Sequence, residues 1–322
     1  MDENTILEVK DLKKYYPVET GIFGAAPAYL KAVDGVSFNV EKGKTLGIIG
    51  ESGCGKSTVA KLLMNLERST AGSIKFKGRD TATFNESEMK KLRKNMQMVF
   101  QDPYSSLDPK KTAGYIIQEP LIIHNVGTRA EQEQRVKELL KMVGLDYYHA
   151  NRYPHEFSGG QRQRINIARA IALNPEIVIC DEPVSALDVS IQAQVINLLK
   201  RLQEEMGLAY IFISHDLSVV KYLSDKLAIM YLGKIVETGK SDDIYKNPMH
   251  PYTKALFSAI PPESPLEEKE KMILEGDVPS PLKPPSGCKF HTRCPYAMEK
   301  CSKEEPSLKQ IGDGQQVSCH LY

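Results

Sequence analysis

Two short stretches of this chain carry residue types and spacings that could act on a phosphoanhydride. The first is Gly50-Glu51-Ser52-Gly53-Cys54-Gly55-Lys56-Ser57, which fits the pattern G-x-x-x-x-G-K-[ST]. Glycines let a backbone curl closely around phosphate oxygens with its N–H groups pointing inward, and the helix that follows adds its positive end. Lys56 is expected to reach the β- and γ-phosphates, and the Ser57 hydroxyl to bind Mg²⁺. Cys54 reads as a small loop residue with no redox task. The second stretch is Ile177-Val178-Ile179-Cys180-Asp181-Glu182, an apolar run ending in two acids. Asp181 is placed to hold Mg²⁺ through water, and Glu182 to orient and polarise an attacking water.

These residues need a scaffold that delivers them at strand ends. Apolar or alternating runs predict strands at 6–9, 32–40, 44–49, 74–76, 96–100, 177–180, 209–213, 226–231 and 234–238, the last two separated by Leu232-Gly233 as in a hairpin. Helical spacing appears over 58–66, 131–143, 161–173 and 189–206. Apolar strands alternating with helices indicate a parallel sheet covered by helices. Strand signals fade between Leu107 and Phe157, which reads as a helical insert, and Gly21 to Pro27 reads as a loop. Beyond Ser258 the composition changes. Prolines crowd 261–285 around a helix candidate over 266–275, consistent with a linker to a small cysteine-bearing tail.

Further segments fall in an order that has meaning only together. Phe157-Ser158-Gly159-Gly160-Gln161 places a serine N-cap and a capping-box glutamine ahead of a helix, with two glycines whose N–H groups are open to an anion. It resembles the LSGGQ signature of ABC ATPases, with Phe157 in place of leucine. Gln101, in Phe100-Gln101-Asp102-Pro103, resembles the family's Q-loop glutamine. Ser185-Ala186-Leu187-Asp188 resembles its D-loop, and His215, in Ile213-Ser214-His215-Asp216, its switch histidine. Tyr16 resembles the aromatic that stacks on adenine, with the adjacent Tyr15 as the alternative.

The resemblance spans residues 5 to about 260 and implies roles. Gly50, Ser52, Gly53, Cys54, Gly55, Lys56, Ser57 and Thr58 would surround the phosphates, and Ser57, Gln101 and Asp181 the Mg²⁺. Glu182, His215, Gln101 and Lys56 would serve hydrolysis. Ser158, Gly159, Gly160, Gln161 and Asp188 would close on ATP held by a second subunit.

The end of the chain narrows the branch. Asn247-Pro248-Met249-His250-Pro251-Tyr252-Thr253, Val278-Pro279-Ser280-Pro281, Arg293-Cys294-Pro295-Tyr296-Ala297 and Cys319-His320-Leu321 look like the C-terminal region of oligopeptide and dipeptide transporter ATPases. The Tyr16-Pro17 loop and Gly53-Cys54-Gly55 resemble the F-type member of the paired D and F subunits. Cys288, Cys294, Cys301 and Cys319 are spaced C-x5-C-x6-C-x17-C, without the close C-x2-C pairs of common zinc knuckles. Four thiolates with a Cys-Pro step fit a [4Fe–4S] cluster, which the branch is known for. Zinc and metal-free thiols are the alternatives.

The expectation is thus an α/β P-loop ABC ATPase with an antiparallel β subdomain and an inserted helical subdomain, followed by a cysteine-rich extension. The ATPase domain would cover 1–258, with its helical insert at about 107–157, and linker and extension 259–322. The resemblance implies ATP and Mg²⁺ as cofactors and peptide uptake as the task, with nickel, glutathione or sugar import as alternatives. It implies a paralogous ATPase partner in a head-to-tail dimer, two membrane permeases and an extracytoplasmic binding protein. The balance of 42 basic and 41 acidic residues gives no argument for nucleic acid. No apolar run approaches a membrane span and the Met1-Asp2-Glu3-Asn4 start is not a secretory signal, so a peripheral place on the cytoplasmic face of the membrane is expected. A soluble ABC ATPase of repair or translation, a metabolic P-loop kinase and a metal-binding scaffold are the rival classes. The single compact cassette, the signature segment and the full motif set argue against each in turn.

Overall fold

The computed structural model describes residues 4–18, 28–102, 104, 106–260, 272, 274–312 and 314–322. Along the chain the strands are β1 (Thr5–Val18), β2 (Ala28–Glu41), β3 (Thr45–Ile49), β4 (Ala71–Phe76), β5 (Arg79–Asp80), β6 (Met96–Val99), β7 (Ile177–Asp181), β8 (Ala209–Ile213), β9 (Lys226–Tyr231), β10 (Lys234–Lys240), β11 (Lys309–Ile311) and β12 (Gln315–Val317). The helices are α1 (Lys56–Leu63), α2 (Glu86–Asn95), α3 (Ala113–Ile123), α4 (Arg129–Met142), α5 (Gly159–Ile171), α6 (Val189–Met206), α7 (Leu217–Leu223), α8 (Ser241–Lys246), α9 (Pro251–Ser258) and α10 (Glu299–Lys303). The chain divides into two compact units, one of residues 1–7, 40–45 and 76–214, the other of 8–39, 46–75 and 215–322.

In the first unit β6, β7 and β8 pair in parallel, with Met96 opposite Ile177 and Asp181 opposite Ile213. β7 and β8 are buried along their whole length, as runs rich in isoleucine and valine should be when both faces are covered. Helix α6 buries Val195, Ile196, Leu198, Leu199 and Leu202, one stripe at helical spacing. Asp188 caps its start and Gly207, at φ 66°, ends it. Within the stretch 107–157, read above as a helical insert, lie α3, α4 and two short 3-10 turns and no strand among the described residues. Capping boxes start α2 at Asn85, α4 at Thr128 and α5 at Ser158.

In the second unit β3 pairs in parallel with β9, and β9 turns back onto β10 through Leu232 and Gly233. Both turn residues have positive φ, 42° and 80°, as a two-residue hairpin connection requires. β1, β2 and β4 belong to a separate sheet. The tail is tied into this unit, because β12 pairs antiparallel with both β10 and β11. Buried Glu237 on β10 accepts from the backbone N–H groups of Met249 and His250 and from the Gln315 amide. The boundary expected at 258/259 therefore falls inside a contact unit. The loop expected at 21–27 lies outside the described residues. So does most of the helix candidate at 266–275, of which only Met272, Leu274 and Glu275 are described, none of them helical.

Candidate nucleotide site

Every expected strand and helix that carries a candidate residue is present, to within a few residues at its ends. In the second unit β3 delivers Gly50 and α1 begins at Lys56. Two glycines here have no alternative. A Cβ on Gly50 (φ 157°) would sit 2.2 Å from the Met230 carbonyl oxygen, and one on Gly55 (φ 106°) 2.1 Å from that of Ala32. Gly53, at φ 77°, is needed for backbone sign alone, since nothing lies within 4 Å of its missing Cβ. Lys56 is buried, and its ammonium donates to the carbonyls of Gly50 (2.7 Å) and Glu51 (3.0 Å). Those bonds hold the cation at the centre of the loop, where phosphate oxygens can take over as acceptors. Cys54 is buried and its thiol is pushed up by that burial, which keeps it protonated and a poor nucleophile, in line with a packing role.

Tyr16 and Tyr15 differ in their surroundings. The Tyr16 hydroxyl donates to Glu67 and lies beside the Thr58 hydroxyl of α1. Burial and the Glu67 carboxylate push its pKa up to about 12. The Tyr15 hydroxyl donates instead to Asp34. Of the two rings, Tyr16 is thus the one tied to the helix that follows the phosphate loop. Ser52, Ser57 and Thr58 lie on that loop and in the first turn of α1. His215 is exposed just before α7, whose start Asp216 caps through the N–H groups of Ser218 and Val219.

In the first unit Asp181 is buried at the end of β7 and Glu182 follows it with φ 47°. A left-handed glutamate carries a backbone cost of about 1–2 kcal/mol. It is held there by its N–H, which donates to the Ile213 carbonyl at 2.9 Å, and by its carbonyl, which accepts from the Ser185 hydroxyl at 3.0 Å. The Gln101 amide donates to the Glu182 carboxylate at 3.0 Å. Two residues far apart in sequence, each expected to act on the attacking water, are therefore brought into contact. Asp188 bonds the Ile191 N–H and the Ser190 hydroxyl, and those bonds lower its pKa.

In the signature segment the two glycines differ in their surroundings. Gly160 is required for close packing: a Cβ there would meet the Ile191 side chain of α6 at 2.3 Å. Gly159 is the less constrained of the pair, its missing Cβ lying 3.4 Å from Leu187. Ser158 and Gln161 bond each other's backbone N–H as expected. Phe157 is buried beside His149, ring centroids 5.7 Å apart.

The tail differs more. Cys288, Cys294, Cys301 and Cys319 are all free thiols, close enough to influence one another's ionisation. Burial first, then the neighbouring sulfurs, pushes Cys288 up to about 11. Yet among the described residues no group of three or more His, Cys, Asp or Glu side chains is arranged to hold a metal ion. The expected [4Fe–4S] or zinc ligand set thus gains no support from the side chains as they stand. Neutral thiols must lose protons and turn toward a shared centre before they ligate.

Sequence reasoning missed what the same segment does next to the phosphate loop. Arg293 donates to both carboxylate oxygens of Glu51, at 3.1 and 2.9 Å. Lys289 is buried and donates to Asp34 (2.8 Å) and to the Leu232 carbonyl (3.0 Å). Burial would raise the Asp34 carboxyl, but Lys289 and the Tyr15 hydroxyl outweigh it and hold it well below the ordinary range. Phe290 packs edge-on to Tyr231 and against Tyr252, whose hydroxyl accepts from the Glu51 N–H at 2.9 Å. No local pattern in the sequence signals these pairings, of which Glu51 with Arg293, Asp34 with Lys289 and Glu51 with Tyr252 join positions more than 200 residues apart.

Known proteins resemble this chain over its whole length. The ABC transporter family profile matches residues 33–185, and that of the oligopeptide/dipeptide transporter C-terminal region matches 236–301. An oligopeptide transport ATP-binding protein of Bacillus subtilis, AppF, is 54% identical over 100% of this chain and 98% of its own. The dipeptide transport ATP-binding proteins DppF of Haemophilus influenzae and Escherichia coli are 52% and 50% identical, each over 98% of this chain and over 97% and 94% of their own. Among solved structures, the dimeric post-hydrolysis state of the ATP-binding cassette MJ0796 bound to ADP and Pi is 31% identical. It covers 73% of this chain and 99% of its own, with a TM-score of 0.65.

Proposed function

The chain belongs to the ATP-binding subunits of the oligopeptide/dipeptide branch of ABC transporters, and from that premise we propose that it binds Mg²⁺-ATP and hydrolyses it to power uptake of small peptides. The observation that carries the hydrolytic part is the contact between Gln101 and Glu182 at the end of β7. It fixes a carboxylate at a strand end, where it can accept a proton from water attacking the γ-phosphate. Lys56 and the loop N–H groups bind the phosphates, Tyr16 stacks on the base, and His215 contacts the γ-phosphate. Mg²⁺, when bound, neutralises charge on the β- and γ-oxygens, and Ser57, Gln101 and Asp181 are the residues offered to it.

The signature residues Ser158, Gly159, Gly160 and Gln161 and the D-loop Asp188 act in a head-to-tail dimer with a paralogous ATPase subunit. The dimeric state of the related MJ0796 cassette supports that arrangement. Among the described residues no helix is long and apolar enough to cross a membrane. In this reading the subunit sits on the cytoplasmic face, docked on two permeases fed by an extracytoplasmic binding protein. The peptide cargo rests on relatives named for peptides. The cluster part of the reading rests on the spacing of the four tail cysteines alone, and no step of hydrolysis is assigned to it. The test is reconstitution with the cognate permeases and binding protein in vesicles. ATP-driven accumulation of labelled di- and oligopeptides is expected. Accumulation of nickel or a sugar in their place would overturn the cargo.

A further inference from the structure

Glu51 is an awkward residue for a phosphate-binding loop, because a carboxylate there repels the triphosphate that the loop's N–H groups attract. The structure restrains this residue at three points. Its N–H donates to the Tyr252 hydroxyl, its carbonyl accepts from Lys56, and its carboxylate accepts two bonds from Arg293. Arg293 comes from the tail, one residue before Cys294, and its side chain is only 9% exposed. The segment that carries it is itself fixed, by Lys289 on Asp34 and by Phe290 packed among Tyr231, Tyr252 and His250. Both bonds come from one guanidinium nitrogen, Nη1, which spans the two carboxylate oxygens, so the contact neutralises Glu51 through charge-assisted bonds at a fixed place.

We propose that Arg293 is a positioning residue of the nucleotide site. It neutralises Glu51 and holds the loop open for phosphate, so that the C-terminal segment sets the affinity for ATP. This rests on the reading of Gly50 to Ser57 as the ATP site. Removing Arg293 leaves Glu51 charged and free to approach the phosphates. Removing both charges together removes the repulsion as well. A structural role alone would predict no such recovery.

The experiment is titration of the full-length chain with a fluorescent ATP analogue in Mg²⁺. It is run on wild type, Arg293→Met, Glu51→Gln, the double variant and Lys56→Ala, with thermal unfolding recorded for each. Arg293→Met is expected to weaken binding about tenfold, and the same change in the Glu51→Gln background less than about threefold. Wild-type affinity in Arg293→Met, or an equal loss in both backgrounds, would overturn the proposal. Lys56→Ala separates the two readings. If it binds as wild type, the ATP site itself is misassigned. If it fails to bind while Arg293→Met binds normally, only the positioning role falls. Should Arg293→Met not fold, Arg293→Gln decides, because it keeps a hydrogen-bonding side chain and loses the charge that neutralises Glu51. A loss of about two- to fivefold supports the role, and unchanged affinity overturns it.

Discussion

Replacing Glu182 by glutamine isolates the catalytic carboxylate. The side chain keeps its length, and its carbonyl oxygen can still accept from the Gln101 amide that now lies 3.0 Å from the carboxylate. The backbone cost of φ 47° at this position is shared by both side chains, and the bonds to Ile213 and Ser185 are made by main-chain atoms. Stability should therefore stay within about 0.5 kcal/mol of wild type. What disappears is the negative charge that draws the proton from water. Loss of a general base costs about 10²–10⁴ in rate, or roughly 3–5 kcal/mol of barrier. ATP affinity should be unchanged or higher, because phosphate binding belongs to Lys56 and the loop around it. Single-turnover release of labelled phosphate, run beside nucleotide binding and size-exclusion chromatography, reads all three. The expected result is tight ATP binding, a persistent dimer and hydrolysis down by at least a hundredfold. Hydrolysis within about threefold of wild type would refute the assignment and leave the chain better read as an ATP-binding regulatory half.

Glycine replacements in the phosphate loop should separate by geometry. Gly50→Ala and Gly55→Ala drive a Cβ to within 2.2 and 2.1 Å of a carbonyl oxygen and should cost roughly 2–4 kcal/mol and abolish nucleotide binding, whereas Gly53→Ala, with open space, should cost about 1–2 kcal/mol, all read by thermal unfolding. His250 is buried and held neutral, its pKa lowered to about 3 by burial, so unfolding lets it gain a proton once the pH drops below its unfolded value near 6.5. Its contribution is fully present above that pH and should be lost at about 1.4 kcal/mol per pH unit as the pH falls toward 3; in His250→Asn, which can still cap α9, denaturant titrations should show that slope removed. Anaerobic purification should give stoichiometric iron and sulfide if the tail thiols ligate a cluster. Zinc without sulfide, or no metal at all, would remove the iron–sulfur reading.

The sequence alone carried the parts of this protein that depend on local chemistry. A glycine-rich turn between an apolar strand and a helix, and an apolar strand ending in two acids, are recognisable because each does its work within a few residues. Tight turns, caps and strand ends are dictated by neighbours along the chain. Even the uneven helix boundaries follow from that, since fraying and capping shift a terminus by a residue or two while the buried stripe stays fixed.

What the tertiary structure decided is which distant side chains meet. The contact between Gln101 and Glu182, the packing of Gly160 on Ile191, and the separate partners of Tyr15 and Tyr16 all depend on how elements stack. The tail shows the difference most plainly. Read as a string, Cys288 to Cys319 is a metal-ligand pattern at the far end of the molecule, remote from the ATP chemistry. Folded, β12 lies on β10, and Arg293 and Lys289 reach Glu51 and Asp34. Long-range pairs of this kind are set by strand register and by the burial of charges that then need partners, and neither leaves a periodic mark in the sequence.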